Sequence, residues 1–177
     1  MARPSWRSVA ALAVAAWTLA ACAAPATHEG MTAPVAATAK PNRVLKGAIA
    51  VGDVTGGAAT DPMAASRVGN GALQQALQDS LAQAGYLAPT PKAARYRLNA
   101  TLQELDQSGF TLTADATVKS TVLYRLVGRG ANAEYPVTAT GTATFQDSSI
   151  FETRLRIANE RSIQANIEQL LKQLHAF

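Results

Sequence analysis

Between Tyr96 and Phe145 the chain alternates apolar and polar residues, and this period of two confines most of the stretch to β-strands. In the first run Tyr96, Leu98, Ala100 and Leu102 alternate with Arg97, Asn99, Thr101 and Gln103. After "DQSG" a second run places Phe110, Leu112, Ala114, Ala116, Val118, Ser120, Val122, Tyr124 and Leu126 on one side. "GRGANAE" supplies the glycines of a hairpin connection, and a third run alternates Tyr135, Val137, Ala139, Gly141, Ala143 and Phe145 with Thr138, Thr140, Thr142 and Thr144. Three such runs in succession predict an antiparallel meander with one buried and one solvated face.

On both sides of the meander the period lengthens. Leu45, Ile49 and Val51 predict a strand over residues 43–54, which "VTGGAATDPM" breaks. Val68, Leu73, Leu77, Leu81 and Ala84 then follow helical spacing over residues 67–84, with Ser66 or Asn70 able to cap the start and Gly85 to stop it. After "QDSS", Leu155, Ala158, Ile163, Ile167, Leu170 and Leu174 share one face of a closing helix, with Glu168 and Lys172 paired on the other. The order is β-α-β-β-β-α. The first helix crosses between two strands, which predicts a parallel pair and hence a mixed sheet. The fold class is α+β: a two-layer α/β sandwich with two helices on one face of a four-stranded sheet.

Charge narrows the functions open to such a domain. The formal net charge is +4, but Arg3 and Arg7 supply half of it, and all 12 acidic residues lie downstream of Cys22. The remaining excess is small and not gathered into a stripe, so no footprint for nucleic acid appears. Cys22 is the only cysteine of the 177 residues, which excludes an intramolecular disulfide and a cysteine-based metal cage.

The amino terminus has its own organisation. Arg3 and Arg7 form a short positive region, followed by the apolar "VAALAVAAWTLAA" (Val9–Ala21), which is shorter than the roughly 20 residues a bilayer span requires. Residues 1–21 therefore read as a targeting segment. Residues 23–42, "AAPATHEGMTAPVAATAKPN", are rich in Ala, Pro and Thr and read as a flexible tether, with a reach of about 60–70 Å when extended. Residues 43–177 form the folded domain.

Catalytic signals are weak. His28 falls in the tether and His175 at the far end, neither beside an acidic or nucleophilic cluster. "GDVTGG" lacks the lysine and spacing of a phosphate cradle and reads as a strand-to-loop turn. Asp147, Glu152 and Glu160 lie near Arg154, Arg156 and Arg161, an arrangement that keeps carboxylates ionised and reads as a salt-bridged helix start. The threonine-rich strand face suits a solvated surface. No cofactor or metal is implied. The candidates for partner binding are Arg154 and Arg161 at the start of the last helix, with Arg156 set aside as the partner of Glu160, and the free edge of the sheet.

"LAAC" (Leu19–Cys22) resembles the bacterial lipobox, a Leu and two small residues before a Cys. The resemblance implies that Cys22 is diacylated on sulfur, becomes the mature amino terminus and is acylated again on its amine. Ala23 and Ala24 stand where an Asp commonly signals inner-membrane retention, so the resemblance implies transfer to the outer membrane, with the domain facing the periplasm. "YRLNATLQELD", "TVKSTVLYRLV" and "RLRIANERSIQANIEQLLKQL" resemble a set of small uncharacterised Gram-negative envelope lipoproteins. The element layout is similar to that of the lipopolysaccharide-assembly lipoprotein LptE, from which no functional residue carries over. Together these readings describe a non-enzymatic accessory or assembly lipoprotein, held in the membrane through Cys22 and binding an envelope protein or a lipopolysaccharide-type glycolipid. A lipid or glycolipid carrier would instead need a contiguous apolar pocket. An envelope hydrolase or transferase would need convergent polar groups with shifted pKa values.

Overall fold

A computed structural model describes residues 23–34, 41–61, 63–107, 115–128 and 130–177. Its elements are α1 (His28–Met31), β1 (Ile49–Thr55), α2 (Asn70–Gln83), β2 (Tyr96–Asp106), β3 (Ala116–Gly128), β4 (Ala131–Ala143) and α3 (Phe151–His175), with a 3-10 turn at Pro91–Ala93. The four strands lie in the order β1-β2-β3-β4; β1 is parallel to β2 and the other two pairings are antiparallel. The expected α+β sandwich with a mixed sheet is the fold observed.

Alternation sets the register. Leu98 lies opposite Leu126 and Val122 opposite Val137, so the buried sides of β2, β3 and β4 form one surface under the helices. Leu73, Leu77 and Leu81 of α2 and Ile163, Ile167, Leu170 and Leu174 of α3 close over it, all fully buried. Two irregularities depart from strict alternation. In β2 the register slips between Leu102 and Glu104, and the extra residue turns Leu105 rather than Glu104 towards the core. In β1 it slips between Val51 and Val54, where the Asn99 side chain accepts the Asp53 N–H at 3.0 Å.

Several boundaries differ from expectation. β1 starts at Ile49 rather than residue 43, because Asn42 organises a turn over residues 43–47: its Oδ1 accepts the Val44 N–H at 2.8 Å. Gly47, at φ +57°, completes that turn, and Leu45 is buried through it rather than through a strand. α2 starts at Asn70 with Gly69 as its N-cap, and neither Ser66 nor Asn70 caps it; the Asn70 side chain accepts the Gly57 N–H at 2.7 Å instead. Gly85, at φ +73°, ends α2 as expected. β4 runs earlier than expected, from Ala131 to Ala143, leaving Phe145 outside the strand. Phe110, Leu112 and Ala114 of the second alternating run lie outside the described residues.

The largest departure concerns the expected tether. Residues 23–34 pack on the domain, and α1 lies against α2 and α3. Ala26, Met31 and Ala33 belong to the main core, with Met31 and Ala33 fully buried. The segment is an apolar strap across the helical layer. Its Ala- and Pro-rich composition, read as that of a linker, offers small side chains that pack closely there, with Met31 filling the core. Residues 35–40 of the expected tether lie outside the described residues.

Candidate functional site

The C-terminal ends of β1, β2 and β4, the connection 56–69 and the start of α3 meet at one end of the sandwich, and the strap begins there. Glu160 of α3 organises the strap. Its Oε1 accepts the Thr27 N–H at 2.9 Å, the Thr27 hydroxyl at 3.0 Å and the Arg156 guanidinium at 2.7 Å. A Cβ on Gly30 would collide with the Glu160 carboxyl, so a larger residue there would push that carboxyl away from its present position. Further along, Gln164 donates to the Thr32 carbonyl at 3.1 Å, and the Ser80 hydroxyl of α2 accepts the Ala33 N–H at 2.9 Å. The Ala26 N–H donates to the Arg67 carbonyl at 3.1 Å, joining the strap to the 56–69 connection.

Arg154 and Arg161 both come to the β4–α3 junction, but not as a free basic patch. Arg154 is fully buried; its guanidinium lies 3.9 Å from the centroid of the Phe145 ring and donates to the Ser148 carbonyl at 2.9 Å. Arg161 forks onto Asp147, with N–O distances of 2.9 and 2.6 Å, and also donates to the Thr142 carbonyl at 2.7 Å. That pairing and the Thr144 N–H hold the Asp147 carboxyl at about 2, below its ordinary 3.8, so it carries no proton to give near neutral pH. The two arginines therefore fasten the β4–α3 turn. This corrects the surface expected of Arg154: its charge is spent inside the fold. The expected Arg156–Glu160 pair is present, with the strap as an added third party.

A polar seam that sequence reading missed runs along α3 through Asn159, Ser162 and Asn166, all fully buried. Asn166 accepts the Tyr124 hydroxyl at 2.9 Å and donates to the Val137 carbonyl at 3.0 Å. Asn159 donates to the Ser66 carbonyl at 3.0 Å and accepts from Gln107 at 2.8 Å. Burial pushes the Tyr124 phenol far above its ordinary range, which leaves it a neutral donor. The three α3 residues recur at helical spacing on the apolar face, and that spacing was the available signal. These groups satisfy one another and hold helix to sheet. The space between helices and sheet that a carrier would open is filled by the leucines and isoleucines of α2 and α3.

The other candidates resolve simply. His28 sits on α1, with Nε2 3.8 Å from Asp79 of α2, and not in a tether. "GDVTGG" is the β1 strand and its turn, where Gly56, at φ +85°, passes against the Leu102 backbone. Thr138, Thr140 and Thr142 are exposed on the open sheet face, and Thr121 and Thr138 pair across strands at 3.2 Å. Among the described residues, a cleft of about 110 Å³ is lined by Gly56, Arg67, Leu102 and Glu104, and an open depression of about 420 Å³ lies beside the strap, lined by Glu29, Thr32, Asp79, Ala82 and Gln83. Among the described residues no three His, Cys, Asp or Glu side chains could hold a metal, and no helix is long and apolar enough to cross a membrane. Cys22 lies outside the described residues; its neighbour Ala23 is buried, three residues before Ala26 bonds to Arg67.

No family model and no curated protein matches the sequence. Solved structures share the fold. A Caulobacter crescentus protein provisionally classed as a lipoprotein matches at a TM-score of 0.50 and 14% identity, covering 75% of this chain and 92% of its own. A DUF330 protein from Xanthomonas campestris matches at a TM-score of 0.52 and 12% identity, covering 77% and 90%. At these identities the likeness is one of fold. The architecture is thus shared with these two bacterial proteins over 92% and 90% of their own lengths.

Proposed function

We propose that the chain is an envelope lipoprotein, acylated at Cys22, held in the outer membrane with its domain in the periplasm, and acting as a non-enzymatic accessory or assembly factor. The observation that carries this reading is "LAAC" at the end of a short apolar run behind Arg3 and Arg7. The fold shared with the Caulobacter protein supports it. The domain offers what an accessory factor requires: a rigid sandwich, an open threonine-rich sheet face and a long edge strand, β4. Its partner is an envelope protein or a glycolipid of the lipopolysaccharide type, met through those surfaces rather than through Arg154.

Mass spectrometry of the mature amino terminus tests the anchor. The expected product begins at Cys22 and carries acyl chains, and Cys22→Ser abolishes both processing at that site and acylation. A mature form with an unmodified Cys22 thiol overturns the lipoprotein reading. Turnover by the purified domain that is lost on changing one acidic residue overturns the non-enzymatic part.

A further inference from the structure

An anchored domain on a long tether can take any orientation, but a strap docked from Ala23 onwards removes that freedom. Consecutive Cα atoms lie about 3.8 Å apart, so a lipid on Cys22 is held one peptide unit from a buried residue. The strap is fastened through Ala26 to Arg67 and through Thr27 to Glu160. The Arg67 fastening belongs to the 56–69 connection, and the strap runs from there along α2 and α3 to Ser80 and Gln164. Its first residues therefore lie towards the end of the sandwich built from that connection and the β4–α3 turn.

That end presents three large apolar side chains to solvent: Met63 at 91% exposure, Phe145 at 52% and Ile150 at 49%. Asp61 Oδ1 accepts the Met63 N–H at 2.9 Å, the Phe145 ring rests on the Arg154 guanidinium, and Ser148 Oγ accepts the Ile150 N–H at 3.1 Å. Ala65, two residues after Met63, packs in the same small cluster as Phe151, which places the 56–69 connection beside the start of α3. Val44, Val127 and Phe177 are also exposed, but they belong to the opposite end, where β3 and α3 finish. Where the chain leaves the fold decides between the two ends.

We propose that the domain stands end-on against the lipid surface, with Met63, Phe145 and Ile150 in the headgroup region and the Val127 end pointing away from the membrane. The occupant of this apolar end is the bilayer that holds the acyl chains, so the proposal rests on the acylation of Cys22. A few apolar side chains add to acyl anchoring by burying area at the interface. They also turn one defined side of the open sheet face towards partners at a set height above the membrane.

The acylated full chain, extracted from membranes and reconstituted into phosphatidylethanolamine–phosphatidylglycerol vesicles, allows the test. Cys22 is the only native cysteine and its sulfur is blocked by acylation, so Met63→Cys, Ile150→Cys, Val127→Cys and Thr138→Cys each accept one environment-sensitive fluorophore. The expected result is blue-shifted emission at positions 63 and 150, with most of the intensity lost to a headgroup-level nitroxide lipid. Emission at 127 and 138 stays water-like and unquenched. Water-like emission at 63 and 150 with the acyl mass confirmed on Cys22 overturns the orientation and leaves the lipoprotein reading standing. Absence of acyl mass removes both.

Discussion

Glu160 holds partners from two parts of the chain that sequence order keeps far apart, Thr27 in the strap and Arg156 one turn back in its own helix. A nearly buried carboxylate of this kind is stabilised because its Oε1 accepts from an N–H, a hydroxyl and a guanidinium at once. Glu160→Ala leaves the Thr27 N–H without its acceptor and should lower the unfolding free energy by about 1.5–3 kcal/mol, the usual range for hydrogen bonds to a charged group. A urea titration reads this as a lower midpoint. Gly141 carries a different constraint, since a Cβ there would collide with the α3 backbone at Ala158 and Ser162. Gly141→Ala should therefore destabilise by about 1–3 kcal/mol, the usual cost of overpacking, whereas Ala139→Gly, in the same strand, removes a buried methyl and adds backbone freedom without any clash. Asp147 gives a pH signature. Its folded value of about 2 lies below the ordinary 3.8, so the unfolded chain binds more protons across that interval. Stability therefore rises with pH through the window and is lost as pH falls from about 4 to 2. Thermal melts of Asp147→Asn should lack this part of the pH dependence.

At the scale of elements, α3 does most of the joining. Its apolar face, its buried asparagines and its Glu160 side each meet a different neighbour: the core, the sheet and the strap. Leu170→Asp buries a charge among the core side chains and should cost more than about 3 kcal/mol. Gln169→Asp, on the exposed side of the same turn, should stay within about 0.5 kcal/mol. Equal melting temperatures for the two would contradict the packing of α3 on the sheet. Period alone located this helix to within a few residues, and the strands of the meander were legible for the same reason: burial on one face leaves a repeat in composition. The β2 slip that redirects Leu105 was not legible, because a one-residue bulge preserves composition and changes only phase. Nor did alternation reveal that Phe145 leaves β4 to cover Arg154, since the residue continues the pattern that its backbone abandons.

Taken as a whole, the molecule is a sandwich closed by its own amino-terminal segment. Removing residues 23–34 exposes the pocket that Met31 fills, and burial of that one side chain is worth about 1.5–3 kcal/mol. A soluble chain beginning at residue 42 should therefore unfold at lower urea concentration than one beginning at residue 23. Equal midpoints would show that the strap rides on the fold without supporting it. The sequence by itself determined the α+β class, the order of the elements and the apolar faces of the helices, because each is a local repeat that burial imposes on neighbouring residues. It also marked Arg156 and Glu160 as partners, since a helix brings residues four apart together whatever surrounds it. Only the tertiary structure decided that Arg154 lies inside, that Arg161 is spent on Asp147, and that an Ala- and Pro-rich stretch is a strap. The physical reason is the same for all three: each depends on contacts across a sheet–helix turn or between chain segments remote in sequence. A composition typical of linkers is equally suited to close packing when a groove of matching width exists, and only the packing of α2 beside α3 creates that groove.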